Sequence, residues 1–322
     1  MGLRTAFTEL VGCDVPIQLA PMGGVGTPEL IAAVTDAGGM GALGAGFLNA
    51  EQIAGALDTV DAVSSGPYLV NILMPLLDRE VVEVVAGRAK VVDFYHGHPD
   101  PELVELVHAG GALAGWQVGS FADAVAAVEA GCDLLVVRGV EGGGRMHGDE
   151  SLWPLLVAVI DAVELPVIAA GGIGTGRGLA AALAAGAAGV RMGTRFLAAV
   201  ESGVHSAYRA AVVAASAADS VLTDDFRAGW PDERSTSRVL RSSIEAARAF
   251  EGDFVGDLNF GADAFPVPRY TFIPPILQFT GAVETLPMYA GESVRFVTAV
   301  EPAGEIVRGI AEEAEHLLAA RH

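Results

Sequence analysis

The chain has 322 residues, 52% of them hydrophobic and 18% charged, which is enough to bury a large core and excludes a disordered chain. Its 40 acidic and 19 basic residues give a net charge of −21, a surface that repels nucleic acid and anionic lipid. Two cysteines, Cys13 and Cys132, show no metal or CxxC spacing and read as buried free thiols; Lys90, the only lysine, precedes a strand rather than following one, which disfavours a Schiff-base barrel mechanism.

The N-terminal MGLRTAFTEL lacks the apolar core of a signal peptide, and Ala6 breaks the myristoylation pattern. Later alanine-rich stretches are interrupted by Gly, Asp, Glu or Arg before they reach bilayer length. The expectation is a soluble, cytoplasmic protein with no membrane or nucleic-acid partner.

Eight apolar runs of strand length follow in order: VPIQLA (15–20), MGALGA (40–45), YLVNIL (68–73), VVDFY (91–95), ALAGWQV (112–118), DLLVVR (133–138), PVIAA (166–170) and GVRMG (189–193). Helices are expected between them, beginning near Pro28, Ala50, Asp78, Pro101, Phe121, Leu152 and Thr175. Thr27-Pro28, Asn49 with Gln52, and Ser120 with Asp123 carry N-terminal capping signals. Near-continuous apolar strands imply burial on both faces and hence a parallel sheet. The rhythm predicts a (β/α)8 TIM barrel over residues 1–216, with an open doubly wound sheet as the alternative. Residues 217–275 are more polar and richer in proline, and are read as a small, mainly helical cap or insertion after strand eight. Residues 276–322 are read as C-terminal helices packing on the barrel.

Chemistry in a barrel sits at the C-terminal ends of the strands. Strands seven and eight end in Gly171-Gly172 and Gly193-Thr194, two glycine-bearing turns that suit a backbone cradle for a phosphate. The cradle predicts a phosphorylated cofactor. Strand one ends in Pro21-Met22-Gly23-Gly24, a turn that lets backbone approach a flat ligand or is simply a turn. Asn71 and Gln117, near the ends of strands three and five, either pair with a heterocycle edge or cap their own turns. After strand six, residues 139–148 hold five glycines in ten residues, together with Glu141, Arg145 and His147. His147 is the candidate general acid/base, and Arg145 a candidate anion holder. The plainer alternative is a Glu141–Arg145 salt bridge with His147 solvated. His96 and His98 also follow a strand, but no third metal ligand stands near them, so no metal is expected.

Taken together, PIQLAPMGG, the EGGG loop, PVIAAGGIGTGRGLAAALAAGA and MGTRF resemble the nitronate monooxygenase (2-nitropropane dioxygenase-like) family, which also holds FMN-dependent enoyl-ACP reductases and NADH:quinone reductases. The likeness runs from about Val15 to Ser202 and returns at MYAGES (288–293). It implies a TIM barrel carrying non-covalent FMN. Gly171, Gly172, Gly193 and Thr194 then match the phosphate site. Met22, Gly23, Asn71 and Gln117 fall along the isoalloxazine and ribityl chain, and Gly143 and Gly144 beside the flavin. The family loop usually reads Glu-Ala-Gly-Gly-His; here Arg145 takes the histidine's place and His147 follows two residues later. The usual Ala-Gly-Gln is Ala290-Gly291-Glu292, and Arg138 stands where glutamine is frequent. The resemblance implies oxidation of an alkyl nitronate by FMN and dioxygen. The alternatives are an NAD(P)H-dependent FMN reductase acting on a quinone or an enoyl thioester, and a non-catalytic flavin-binding protein. A homodimer is compatible with each.

Overall fold

A computed structural model describes residues 3–233 and 236–320. The eight runs form eight parallel strands: β1 (Ile17–Leu19), β2 (Gly41–Gly44), β3 (Tyr68–Leu73), β4 (Val91–Tyr95), β5 (Leu113–Val118), β6 (Leu134–Arg138), β7 (Val167–Ala170) and β8 (Gly189–Met192). Neighbours pair in sequence order from β2 to β8, and β8 pairs onto β1. A parallel bridge from Gln18 to Met40 joins β1 to the β2 edge and closes the barrel. An open doubly wound sheet would reverse its strand order at the centre, and no reversal occurs.

The strands are buried almost end to end, as their unbroken apolar character requires. The helices begin where their caps predict. Thr27, Asn49, Ser120 and Thr175 each accept a hydrogen bond from an amide of the first turn. The last helix, Ala303–Ala319, packs against helices Gly176–Ala184 and Pro28–Asp36 and so fills the final place in the outer ring. Glu313 on this helix accepts from the Gly176 amide at 2.8 Å. Everything between β8 and that helix is an insertion at the catalytic end.

The insertion departs from the helical expectation. Within 217–275 the described residues hold one α-helix, Arg241–Ala249, and four strands: β9 (Ser220–Thr223), β10 (Ser237–Leu240), β11 (Phe254–Phe260) and β12 (Asp263–Pro268). Strand β10 pairs with β9 on one side and with Gly144–Arg145 of the loop after β6 on the other. Strand β11 pairs with β12 and with β13 (Phe279–Gly281). A register shift at Gly256 breaks the period-two pattern that would have announced β11. Downstream, 276–320 holds β13, two 3-10 turns and the one long helix.

Among the described residues no helix is long and apolar enough to cross a membrane. Cys13 and Cys132 are buried free thiols, each pushed up to about 12, chiefly by burial. Neither should react with a disulfide reagent at pH 8 within minutes, and both should react once the chain is denatured.

Candidate functional site

The barrel interior carries a polar layer inside otherwise apolar strands. Register sets Gln18 level with Arg191, and Asn71 level with Asp93. Arg191 Nε donates to Gln18 Oε1 at 2.6 Å, and Nη1 donates to Asp93 Oδ2 and Gln117 Oε1, both at 2.9 Å. Asn71 Nδ2 donates to the same Asp93 Oδ2 at 2.8 Å. Asn71 and Gln117 are thus held together, through an ion pair the sequence reading missed. The signal was present: a charged residue in the middle of VVDFY and another in GVRMG. Asp93 Oδ1 and Arg191 Nη2 stay buried without a partner among the described residues.

The glycine loop after β6 is braced from below. Arg138, at the end of β6, donates to the carbonyls of Gly142, Gly143 and Arg145 and to the Tyr95 hydroxyl, at 2.6–3.1 Å. Most of the loop's glycines serve contact with the chain itself. A methyl group at Gly143 would lie 2.5 Å from the Gly291 nitrogen, and one at Gly148 would run into Gly119. Only at Gly144 (φ 87°) would it meet nothing within 4 Å.

Neither half of the plainer reading of this loop survives. The Glu141 carboxylate accepts from the Leu152 amide at 3.1 Å, at the start of a helix. Arg145 turns into the insertion instead: its Nη2 donates to Phe226 O at 2.5 Å, and its guanidinium lies 4.2 Å from the Trp230 ring centroid and 5.5 Å from that of Phe272. Burial pulls its pKa below the ordinary arginine value. His147 is buried rather than solvated, with Nε2 3.4 Å from Asp123 Oδ2 and Nδ1 unpartnered among the described residues. The hydrogen bond from His147 is the main reason the Asp123 carboxyl is held below its usual range; Ser120 adds to the effect, and burial opposes it. His96 and His98 part company. His96, in the left-handed region (φ 68°), is buried with Nδ1 3.3 Å from Asp232, whereas His98 is exposed. The rings of His96 and His147 are 5.5 Å apart.

The two expected phosphate loops are placed differently. Gly171 (φ 109°) and Gly172 (φ 71°) line an open cleft of about 620 Å3, beside Arg177 and Arg295. The amides of Gly172 and Ile173 meet no carbonyl among the described residues. Gly193 and Thr194 do not line this cleft. Gly193 packs toward Ala20 and Met22, and Thr194 Oγ1 accepts from the Gly291 amide at 2.9 Å. Met22 is half-buried against the core, and a side chain at Gly23 would meet nothing within 4 Å.

Known proteins share this architecture. A dehydrogenase from Mycobacterium tuberculosis, described as acting on (3aS,4S,5R,7aS)-5-hydroxy-7a-methyl-1-oxo-octahydro-1H-indene-4-carboxyl-CoA, is 37% identical over 248 residues, 76% of this chain and 68% of its own. A probable nitronate monooxygenase from Staphylococcus aureus is 26% identical over 99% of both chains. The structure of FabK from Thermotoga maritima superposes with a TM-score of 0.80 at 28% identity, covering 99% of this chain and 98% of FabK. The profile of the nitronate monooxygenase family matches residues 4–80 and 76–251, spanning the barrel, the glycine loop and the first part of the insertion; this chain therefore belongs to that family and is an oxidoreductase.

Proposed function

We propose that the chain is an FMN-dependent oxidoreductase whose substrate is a carbon acid, an acyl thioester from which His147 removes the α proton. The observation that carries this reading is the His147–Asp123 pair beside a diverted Arg145. A nitronate is already an anion and calls for a cation to hold it. Arg145 was the candidate, and its guanidinium is spent on Phe226 O and the Trp230 face. A neutral thioester calls for a base, and the site offers a buried imidazole with a carboxylate on Nε2 and a bare Nδ1. The 37% identity with a carboxyl-CoA dehydrogenase supports the same class.

The residues fit a phosphorylated flavin. Buried, unpartnered polar atoms wait in the barrel layer, and uncommitted amides at Gly172 and Ile173 face a cleft with two arginines. When bound, FMN supplies the acceptor for the hydride that leaves the β carbon, so that loss of the α proton and of that hydride forms a Cα=Cβ double bond. Gly171 and Gly172 would hold its phosphate; Gly193 and Thr194, also expected there, lie outside that cleft. Met22, Gly23, Asn71, Gln117, Gly143 and Gly144 would lie along its ring and ribityl chain. The protein's own work is to orient the Cα–H bond toward His147 Nδ1, to take that proton, and to keep water out with Phe226, Trp230 and Phe272 of the insertion.

Nitronate oxidation with dioxygen is the second reading, favoured by the end-to-end likeness to the Staphylococcus aureus protein. Anaerobic reduction of the FMN-loaded protein separates the two. Bleaching by a saturated acyl-CoA, and not by propionate 3-nitronate or 2-nitropropane, is the expected result. Bleaching by the nitronates alone transfers the assignment to them, and bleaching by NADH or NADPH alone makes the chain a reductase of a quinone or enoyl thioester.

A further inference from the structure

The nitrogen assigned as the base is closed off from solvent. His147 Nδ1 is buried, and so are both ring nitrogens of the neighbouring His96, whose side chain is 0% exposed. The cover over these imidazoles is a short irregular segment of the insertion, residues 229–232. Its side chains alternate. Gly229 and Pro231 are exposed, whereas Trp230 is buried and Asp232 half-buried. Trp230 meets the His96 ring edge-on at 5.3 Å, and Asp232 Oδ2 lies 3.3 Å from His96 Nδ1. His147 stands behind His96, at 5.5 Å between ring centroids. The other walls are fixed. Strands β4 and β5 belong to the barrel, Arg138 braces the glycine loop through three of its carbonyls, and Asp123 sits in a capped first turn. The segment is held differently. Trp230 rests on the Arg145 guanidinium at 4.2 Å, on His96 and on Phe272 at 5.4 Å, a cation and two rings rather than an aliphatic core. Gly229, at φ 82°, opens the segment in a backbone conformation that favours glycine.

We propose that residues 229–232 are the gate of the site: Trp230 and Asp232 close it over His96 and His147, and the segment pivots at Gly229 to admit substrate. The His96–Asp232 contact fastens the gate, and the Trp230 ring fills the opening. A base must meet the C–H bond it breaks within hydrogen-bond reach, and it cannot do so through buried rings, so opening precedes proton transfer. Release of Asp232 and Trp230 also unpins His96, and the Nδ1 of His147 behind it comes within reach. The same indole then shuts water out once substrate is seated. The gate rests on His147 being the base of the reaction proposed above, and it applies whichever carbon acid the site takes. It is tested without turnover, so that either reading can fail alone.

The test reads the accessibility of each histidine with diethyl pyrocarbonate, which acylates a neutral imidazole that it can reach, followed by peptide mass mapping. Wild type, Trp230→Ala and Asp232→Asn are treated at pH 7, with and without FMN, and each variant is compared with wild type in the same condition. His98, whose side chain is 78% exposed, is the internal reference. In wild type His96 and His147 should react about tenfold or more slowly than His98, since they are reached only when the segment opens. Trp230→Ala should speed both by about tenfold, and Asp232→Asn, which keeps the side-chain size and weakens its charge pairing, by about threefold or more. His98 should stay within about twofold throughout. A wild-type His147 that reacts as fast as His98 overturns the gate, because the site then stands open. Gain at His96 alone in Trp230→Ala overturns it too, because His147 is then guarded by something else. Wild-type rates in Asp232→Asn make the segment a fixed wall. Cys13 and Cys132, buried in the barrel core, report general loosening: if they become reactive in Trp230→Ala, Asp232→Asn decides alone.

Discussion

Replacing His147 by alanine should slow anaerobic reduction of the bound flavin by about two to four orders of magnitude, the usual cost of losing a positioned acid/base group. Thioester affinity should change little, because the imidazole acts on the proton and not on the acyl body. Geometry supports a base of this kind. Asp123 fixes one nitrogen at 3.4 Å, and burial keeps water from the other. Asp123→Asn should cost less, about tenfold to a hundredfold, since the ring remains but its orientation and charge balance are weakened. Asp123 also gives the pair a pH signature. Its carboxyl is held below the ordinary range, so the unfolded chain binds that proton more readily than the folded one. Stability from the pair is therefore complete above the unfolded carboxyl value of about 4 and falls as pH drops through the lower folded value. Asp123→Asn should flatten that acid slope in denaturation curves while leaving stability at pH 7 to 8 without a pH trend of its own. A His147→Ala variant that reduces flavin at the wild-type rate removes this histidine from the reaction.

The barrel was legible because its signals are local. Each strand is an apolar run, each helix opens on a cap, and Thr27, Asn49 and Ser120 cap where their neighbours in sequence required it. The insertion was not legible, because its strands exist through distant partners. Ser237 and Arg238 extend against Arg145 and Gly144, nearly a hundred residues earlier, and nothing in RSTSRVL announces that. The same non-local pairing explains Arg145. Read as a loop cation it suited an anionic substrate; once the loop becomes an edge for β10, its guanidinium meets Phe226 and Trp230. Asp123 shows a subtler gap. Its place three residues after Ser120 marks it as a helix-cap partner, and it fills that role at 2.7 Å from the Ser120 hydroxyl. Its second role, holding His147, depends on the loop after β6 folding over the end of β5, which the tight approach of Gly148 to Gly119 permits.

Arg191→Met should destabilise the folded chain by about 3–5 kcal/mol, the range for removing one partner of a buried ion pair. Arg191 is 3% exposed and Asp93 fully buried, so water cannot replace the lost cation. Three acceptors would lose a donor at once: Gln18 Oε1, Asp93 Oδ2 and Gln117 Oε1. Asn71 would still donate to Asp93, but an amide cannot offset a whole charge. The double variant Arg191→Met with Asp93→Leu should recover much of the loss, since an apolar pair of similar volume leaves no stranded charge. Urea titration of both variants checks this, and equal midpoints for the single and double variants would show that the layer is held by packing alone. The pair also bears on the proposed cofactor. Arg191 Nη2 and Asp93 Oδ1 are buried without protein partners among the described residues, and an unsatisfied group of this kind costs about 1–3 kcal/mol. A polar ligand that reaches them relieves that cost in the folded state only. FMN should therefore raise the unfolding midpoint of the wild-type chain in proportion to the logarithm of its concentration. In Arg191→Met the rise should be smaller at every concentration, because one of the two waiting atoms is gone.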